Sequence, residues 1–339
     1  MTLVRPVRIA AVLLTLGTVA VGTPASAATQ GTAPVRPAHH QQGPAAISAR
    51  SADLYPENTA WDPTRGVFLV GSARYGTIST VDLNGNVKEL APAFGTVSTL
   101  GIKVDRPRGR FVVAYTDYWI RQATNLDQPP TSGVAIYDLA SGRLLQRIPL
   151  YTDGGGSFAD DLAVDDDGAV YVTNPVSATI VRIDPDGTVS PFLTDPRFAS
   201  NTVGPNGIVW RDGYLIIGLY DKGELYQIPT GVRHPRARQI KLPLKLIGAD
   251  GIALRPNGDL IVTTNSNGRS AGVQGGVDAV TVLRSHDGWR SAKVVKRVDP
   301  WQYAGPTGAA VTPYGAYVLT GHLDRLGQET TPSFDLNLL

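Results

Sequence analysis

The chain has 339 residues, with 31 Lys and Arg against 29 Asp and Glu, and no cysteine. So even a balance argues against nucleic acid, which selects for basic faces. Without cysteine there are no disulfides, no thiolate chemistry and no Cys-based zinc site.

The first 27 residues read as a secretion signal: Arg5 and Arg8 precede an apolar run over 9–22, and Ala25-Ser26-Ala27 is an A-x-A cleavage site. That run is short for a membrane span, and no later stretch approaches the roughly 20 apolar residues one needs. The expectation is a secreted, extracellular protein with no membrane anchor after cleavage. Cleavage removes two arginines and no acid, leaving 29 basic and 29 acidic residues. Residues 28–47 (ATQGTAPVRPAHHQQGPAAI) lack hydrophobic periodicity and read as a flexible leader, with His39-His40 a surface pair. Residues 48–339 then form a single domain.

Six similar phrases follow: ENTAWDPTRGVFLVG (57–71), LGIKVDRPRGRFVVA (100–114), DDLAVDDDGAVYVT (160–173), NGIVWRDGYLIIG (206–218), DGIALRPNGDLIVT (250–263) and TGAAVTPYGAYVLTG (307–321). Each reads as an apolar strand, a polar turn and a second apolar strand. Third strands are expected at 77–83, 133–139, 179–184, 224–229 and 279–285. Fourth strands are expected at VKELAP, LLQRIPL, VSPFLT, ARQIKL and AKVVKRV. A repeat of 43 to 60 residues with no helical periodicity predicts an all-β fold, a six-bladed β-propeller of mostly four-stranded antiparallel blades. The last blade is one strand short after SFDLNLL (333–339). A segment near 45–52 is the expected donor, latching the ring shut.

Five positions before each turn entry stand Glu57, Leu100, Asp160, Asn206, Asp250 and Thr307. In a propeller these equivalent positions converge on the axis. Three carboxylates there repel unless a cation compensates them. Oxygen donors without imidazole or thiolate favour one divalent cation, calcium ahead of magnesium, manganese or zinc. The expected metal ligands are Glu57, Asp160, Asn206 and Asp250. A metal with open positions polarises a carbonyl, and a carboxylate beside it, Asp250 or Asp160, can activate water. The plainer alternative is an ion that only ties the blades together.

Loops after the second strands wall the expected pocket. The longest, over 115–133, holds Tyr115, Tyr118 and Trp119 and reads as a lid over an apolar or aromatic small molecule. Asn174, Tyr220, Asn265, Thr307 and His322 complete the expected lining, and His322 alone in its loop is as readily a surface histidine. G-x-S-x-G, Walker A and H-E-x-x-H signatures are absent. Gly154-Gly155-Gly156 precedes a strand, so it makes no phosphate cradle.

At these residues the chain resembles gluconolactonase and regucalcin (the senescence-marker-protein, SMP-30-like group) and the wider set of calcium-dependent six-bladed propeller hydrolases. The matching residues are Glu57 before Trp61-Asp62, Asn206-Gly207 and Asp250-Gly251. The resemblance implies that these three residues bind metal and that Asp250 is the general base. The chain departs from the pattern at Asp160-Asp161-Leu162, where the family commonly has Asn before Asp-Gly, at Pro56-Glu57-Asn58, and in the enlarged second-blade loop. The implied function is a monomeric lactonase or esterase-type hydrolase of an ester or lactone substrate. Two alternatives stand beside it. One is a metal-independent condensing enzyme of the strictosidine-synthase-like type in secondary metabolism; the other is a non-catalytic binding propeller with a structural ion.

Overall fold

Alternating β-branched and small residues, broken by Asp-Gly and Asn-Gly turns, fold into six antiparallel four-stranded sheets. The computed structural model describes residues 43–120, 131–150 and 157–339; the expected signal, the expected leader up to residue 42 with His39-His40, residues 121–130 of the long loop and residues 151–156 with Gly154-Gly155-Gly156 lie outside them.

Strand β1 (Ala46–Arg50) is the first among the described residues. Blade one is β2 (Thr59–Asp62), β3 (Val67–Gly71), β4 (Ile78–Val81) and β5 (Val87–Ala91). Blade two is β6 (Ser98–Asp105), β7 (Arg110–Thr116), β8 (Ser132–Asp138) and β9 (Leu144–Pro149). Blade three is β10 (Leu162–Val164), β11 (Val170–Val172), β12 (Thr179–Ile183) and β13 (Val189–Thr194). Blade four is β14 (Pro205–Arg211), β15 (Tyr214–Leu219), β16 (Glu224–Pro229) and β17 (Arg238–Ile240). Blade five is β18 (Ala249–Leu254), β19 (Leu260–Thr264), β20 (Ala279–Arg284) and β21 (Lys293–Val298). Blade six is β22 (Pro306–Thr312), β23 (Gly315–Thr320) and β24 (Ser333–Leu338), closed by β1 on its outer edge.

The closing strand pairs Ala46 with Asn337 through Arg50 with Ser333. It begins at Ala46, inside the stretch read as leader. The burial pattern explains the pairing: Ile47 and Ala49 are buried against Phe334 and Leu336, while their neighbours face solvent. Apolar layers fill the spaces between blades. Val112 and Ala114 of blade two, for example, pack on Leu162 and Val170 of blade three.

The innermost strands come in two kinds. In blades two, four, five and six the register slips between Thr99 and Ile102, Pro205 and Ile208, Ala249 and Ile252, and Pro306 and Gly308. Leu100, Asn206, Asp250 and Thr307 therefore sit in β-bulges, which re-aim a side chain out of the regular alternation. Each is followed by glycine: Gly101, Gly207, Gly251 or Gly308. A Cβ on Gly207 would stand 2.0 Å from the Asp250 carbonyl oxygen, and one on Gly251 2.4 Å from that of Thr307. Blades can close this tightly around the axis only where the side chain is absent. In blades one and three, Glu57 and Asp160 precede the strand. Asn58 and Asp161 replace the glycine there and accept from the next backbone N–H, of Thr59 and Leu162, at 2.8 Å each.

Candidate functional site

The fold brings Glu57, Asp160, Asn206 and Asp250 from four blades to the floor of one cavity of about 1040 Å³. All four are buried, at 4 to 6% exposure. Glu57 Oε2, Asp160 Oδ2 and Asn206 Oδ1 have no hydrogen-bond partner. Buried acceptors of this kind are expensive unless something positive meets them. These oxygens fit a hard cation in donor type. They do not form a tight cage by themselves: among the described residues no group of three or more His, Cys, Asp or Glu is spaced to hold an ion.

Burial and like charge raise the proton affinity of the whole set. Glu57 is held well above the usual carboxylate range by burial, then by Asp160, Asp250 and Asp161, with Lys103 opposing. Asp160 is raised by burial and by Asp250 and Asp161. Asp250 is pushed up to about 7 by burial, with the Asn265 hydrogen bond working against it and Asp161 with it.

Below this ring lies a layer that the repeat slot alone does not reveal. The Asp161 carboxylate accepts from Lys103 Nζ at 3.0 Å, Asn58 Nδ2 at 3.2 Å and the backbone N–H groups of Leu162 and Ile208. It is 1% exposed and ties four blades together. The available signal was its place, one residue after the expected ligand, where four blades carry glycine.

Of the residues expected to line the pocket, Tyr118, Trp119 and Tyr220 do so. Phe158, which sequence reasoning passed over, stacks on Tyr118 at 4.8 Å and meets Trp119 edge-on at 5.7 Å. With Ala73 and Val176 these rings form one apolar wall, packed on the buried Leu100. Across the cavity the wall is polar, with Thr202, Ser266, Asn267 and Ser270. Tyr115 does not line the cavity: it lies in the core between blades one and two, its ring 5.0 Å from Phe94. Thr307 is buried in its bulge, and Asn174 accepts from Val176 N–H within its own turn. His322 takes a left-handed backbone (φ 56°), and its Nε2 lies 4.0 Å from Asp335.

Asn265 stands behind the floor. Its amide donates to Asp250 Oδ2 and to the Pro306 carbonyl, and its Oδ1 accepts from the Tyr220 hydroxyl and from Asn267 N–H. Tyr220 in turn accepts from Gly268 N–H at 2.9 Å. This chain of bonds fixes one oxygen of Asp250 and leaves the other, Oδ1, for chemistry.

No protein-family model and no curated protein matches this sequence. Solved structures match it by shape. The Malassezia sympodialis allergen Mala s 1 is similar at a TM-score of 0.69 and 18% identity, covering 87% of this chain and 95% of the allergen. A gluconolactonase of Xanthomonas campestris is similar at 0.56 and 15%, covering 86% of this chain and 87% of that one. Virginiamycin B lyase from Staphylococcus aureus is similar at 0.56 and 14%, covering 87% and 98%. At these identities the likeness is one of fold, and the structures that share it include a gluconolactonase.

Proposed function

We propose that the protein is a secreted, calcium-dependent hydrolase of the lactonase or esterase type. The observation that carries this reading is the convergence of four buried oxygen-bearing side chains from four blades, three with an unpartnered acceptor, at the floor of a large cavity. Glu57, Asp160, Asn206 and Asp250 would hold the cation. When bound, such an ion polarises an ester carbonyl as a Lewis acid. Asp250 takes the proton from the attacking water: Asn265 fixes one of its oxygens and leaves the other to accept it. Tyr118, Trp119 and Phe158 exclude water and receive an apolar or aromatic part of the substrate. The hydroxyl and amide groups opposite receive the ester oxygens or the alcohol portion. A sugar lactone, with hydroxyls all round, would leave polar groups unpaired against the aromatic wall.

The test is elemental analysis of the purified protein and of Glu57→Gln, followed by a screen of aryl esters and lactones with and without chelator. About one calcium per chain in the parent, lost in the variant, together with chelator-sensitive turnover abolished in Asp250→Asn, is the expected result. Calcium bound without turnover of any ester, with Glu57→Gln lowering only the melting temperature, would assign the ion a purely structural role.

A further inference from the structure

A second cavity, of about 600 Å³, opens on the opposite face of the propeller between blades four and five. The topology puts it there. β14 starts at the floor of the first cavity and ends at Arg211; β16 and β20 run the same way, so the turns after them lie on that far face. Those turns supply Arg211, Arg236, Arg238 and Arg290, with Tyr214 and Trp289 beside them.

The lining holds four arginines against two acids, Asp212 and Asp287, which leaves a surplus of two positive charges. Arg211 is paired with Asp212 at 2.9 Å and donates to the Gly258 carbonyl. Asp287, the other acid in the lining, is held in its own turn, where it keeps its charge while accepting from the N–H groups of Arg290 and Ser291 and from the Ser291 hydroxyl. Arg238 donates to the buried Gln227 side chain and to the Gly288 carbonyl, which fix its position without neutralising it. The Arg236 and Arg290 side chains make no ion pair among the described residues, and both are exposed. The sequence sets this charge apart. No acid occurs between Glu224 and Asp250, a stretch holding Arg233, Arg236, Arg238, Lys241 and Lys245, and none between Asp287 and Asp299, which holds Arg290 and Lys293. In a chain whose charges otherwise balance, that is local concentration.

The cavity is also built to hold its shape. Lys241 N–H donates to the Arg290 carbonyl and Ala292 N–H to that of Lys241, stitching blade four to blade five. Trp289 buries its ring among Ile240 and Leu283 at the cost of a left-handed backbone (φ 61°), anchoring the turn that presents Arg290. Tyr214 stands exposed at the rim.

We propose that this cavity binds an anionic saccharide, with Arg236, Arg238 and Arg290 gripping its sulfate, phosphate or carboxylate groups and Tyr214 lying against a sugar ring. Guanidinium forks match these oxyanions two oxygens at a time and are weakly hydrated, so they shed water readily. A nucleic acid calls for a basic stripe along a whole face; here the cations gather around one cavity with one exposed ring. A free saccharide and one that is part of a surface polymer share this oxyanion chemistry.

Calorimetric titration of the purified full chain tests this. The probes are a sulfated hexasaccharide, the same hexasaccharide without sulfate, the sulfated chain immobilised as polymer, inorganic phosphate, and a single-stranded oligonucleotide. The sulfated sugar should bind one to one, free or polymeric, and weaken with salt. It should lose about tenfold or more in affinity in the Arg236→Gln/Arg290→Gln double variant. Tyr214→Ala should weaken sugar and leave phosphate unchanged. Arg50→Gln/Lys88→Gln, which removes the same charge on other blades, should change nothing. An equal loss in that control, phosphate or oligonucleotide binding as tightly as the sulfated sugar, or no binding by the parent would each overturn the proposal. Ester turnover at the first cavity should be the same in parent and Arg236→Gln/Arg290→Gln.

Discussion

Asp161 carries a full set of partners while Asp160, its neighbour in the chain, has an oxygen with none. The contrast separates holding the ring together from acting at its mouth. Asp161 is buried with an ammonium, an amide and two backbone donors around it, so its charge is compensated inside the protein. Lys103 is the cation of that set, a quarter exposed, and it also opposes the raised proton affinity of Glu57. Lys103→Met keeps the packing of the stem and leaves Asp161 without its ion. The expected cost is about 2 kcal/mol in urea unfolding, below that of a fully buried pair because Lys103 is partly solvated. A change within about 0.5 kcal/mol, the range of an ordinary surface substitution, would mean that Asn58 and the two N–H groups suffice.

At the level of strands, closure depends on a segment that arrives from the far end of the chain. β1 contributes only Ile47 and Ala49 to the interior, yet it covers the edge of β24 that would otherwise offer unpaired backbone to another molecule. Ile47→Asp should destabilise the protein by roughly 3 kcal/mol, losing apolar burial and burying a carboxylate. Ala46→Asp, one residue away on the exposed face, should stay within about 0.5 kcal/mol; equal effects in denaturant titration would show that β1 does not hold the edge. Most strands could be read from the sequence because alternation and Asp-Gly turns are local signals, and β1 could be read because blade six lacked a strand. The site was legible only in part. The slot residues were found by counting from the turn. The layer beneath was not, since Asn58 and Asp161 are defined by replacing a glycine that a β-bulge requires in the other blades, and a bulge has no mark in the alternation itself. Tyr115 was misplaced for a related reason: it lies inside β7, where the sequence reading began a loop, and its side chain leaves the strand toward Phe94.

For the molecule as a whole, the ring concentrates negative charge on its axis, and this ties stability to pH and to cations together. Burial pushes the Asp250 carboxyl up to about 7 in the folded protein, from an ordinary aspartate value of 3.8, and Glu57 and Asp160 are raised in the same direction. Between those limits the folded chain holds protons that the unfolded chain has released, so stability falls as pH rises through that interval. A cation bound to the same carboxylates acts oppositely, because it binds their charged form and adds stability as they ionise, about 2.7 kcal/mol at a hundredfold excess over its dissociation constant. In chelator, the melting temperature should therefore fall from pH 5 to pH 8, and Asp250→Asn should flatten that fall. With calcium the melting temperature at pH 8 should rise, and the rise should shrink toward pH 5, where protons compete for the ligands. Calcium that stabilises equally at both pH values would be bound elsewhere, away from the axis. A slope unchanged in Asp250→Asn would move the shared proton to Glu57 or Asp160, and with it the general base.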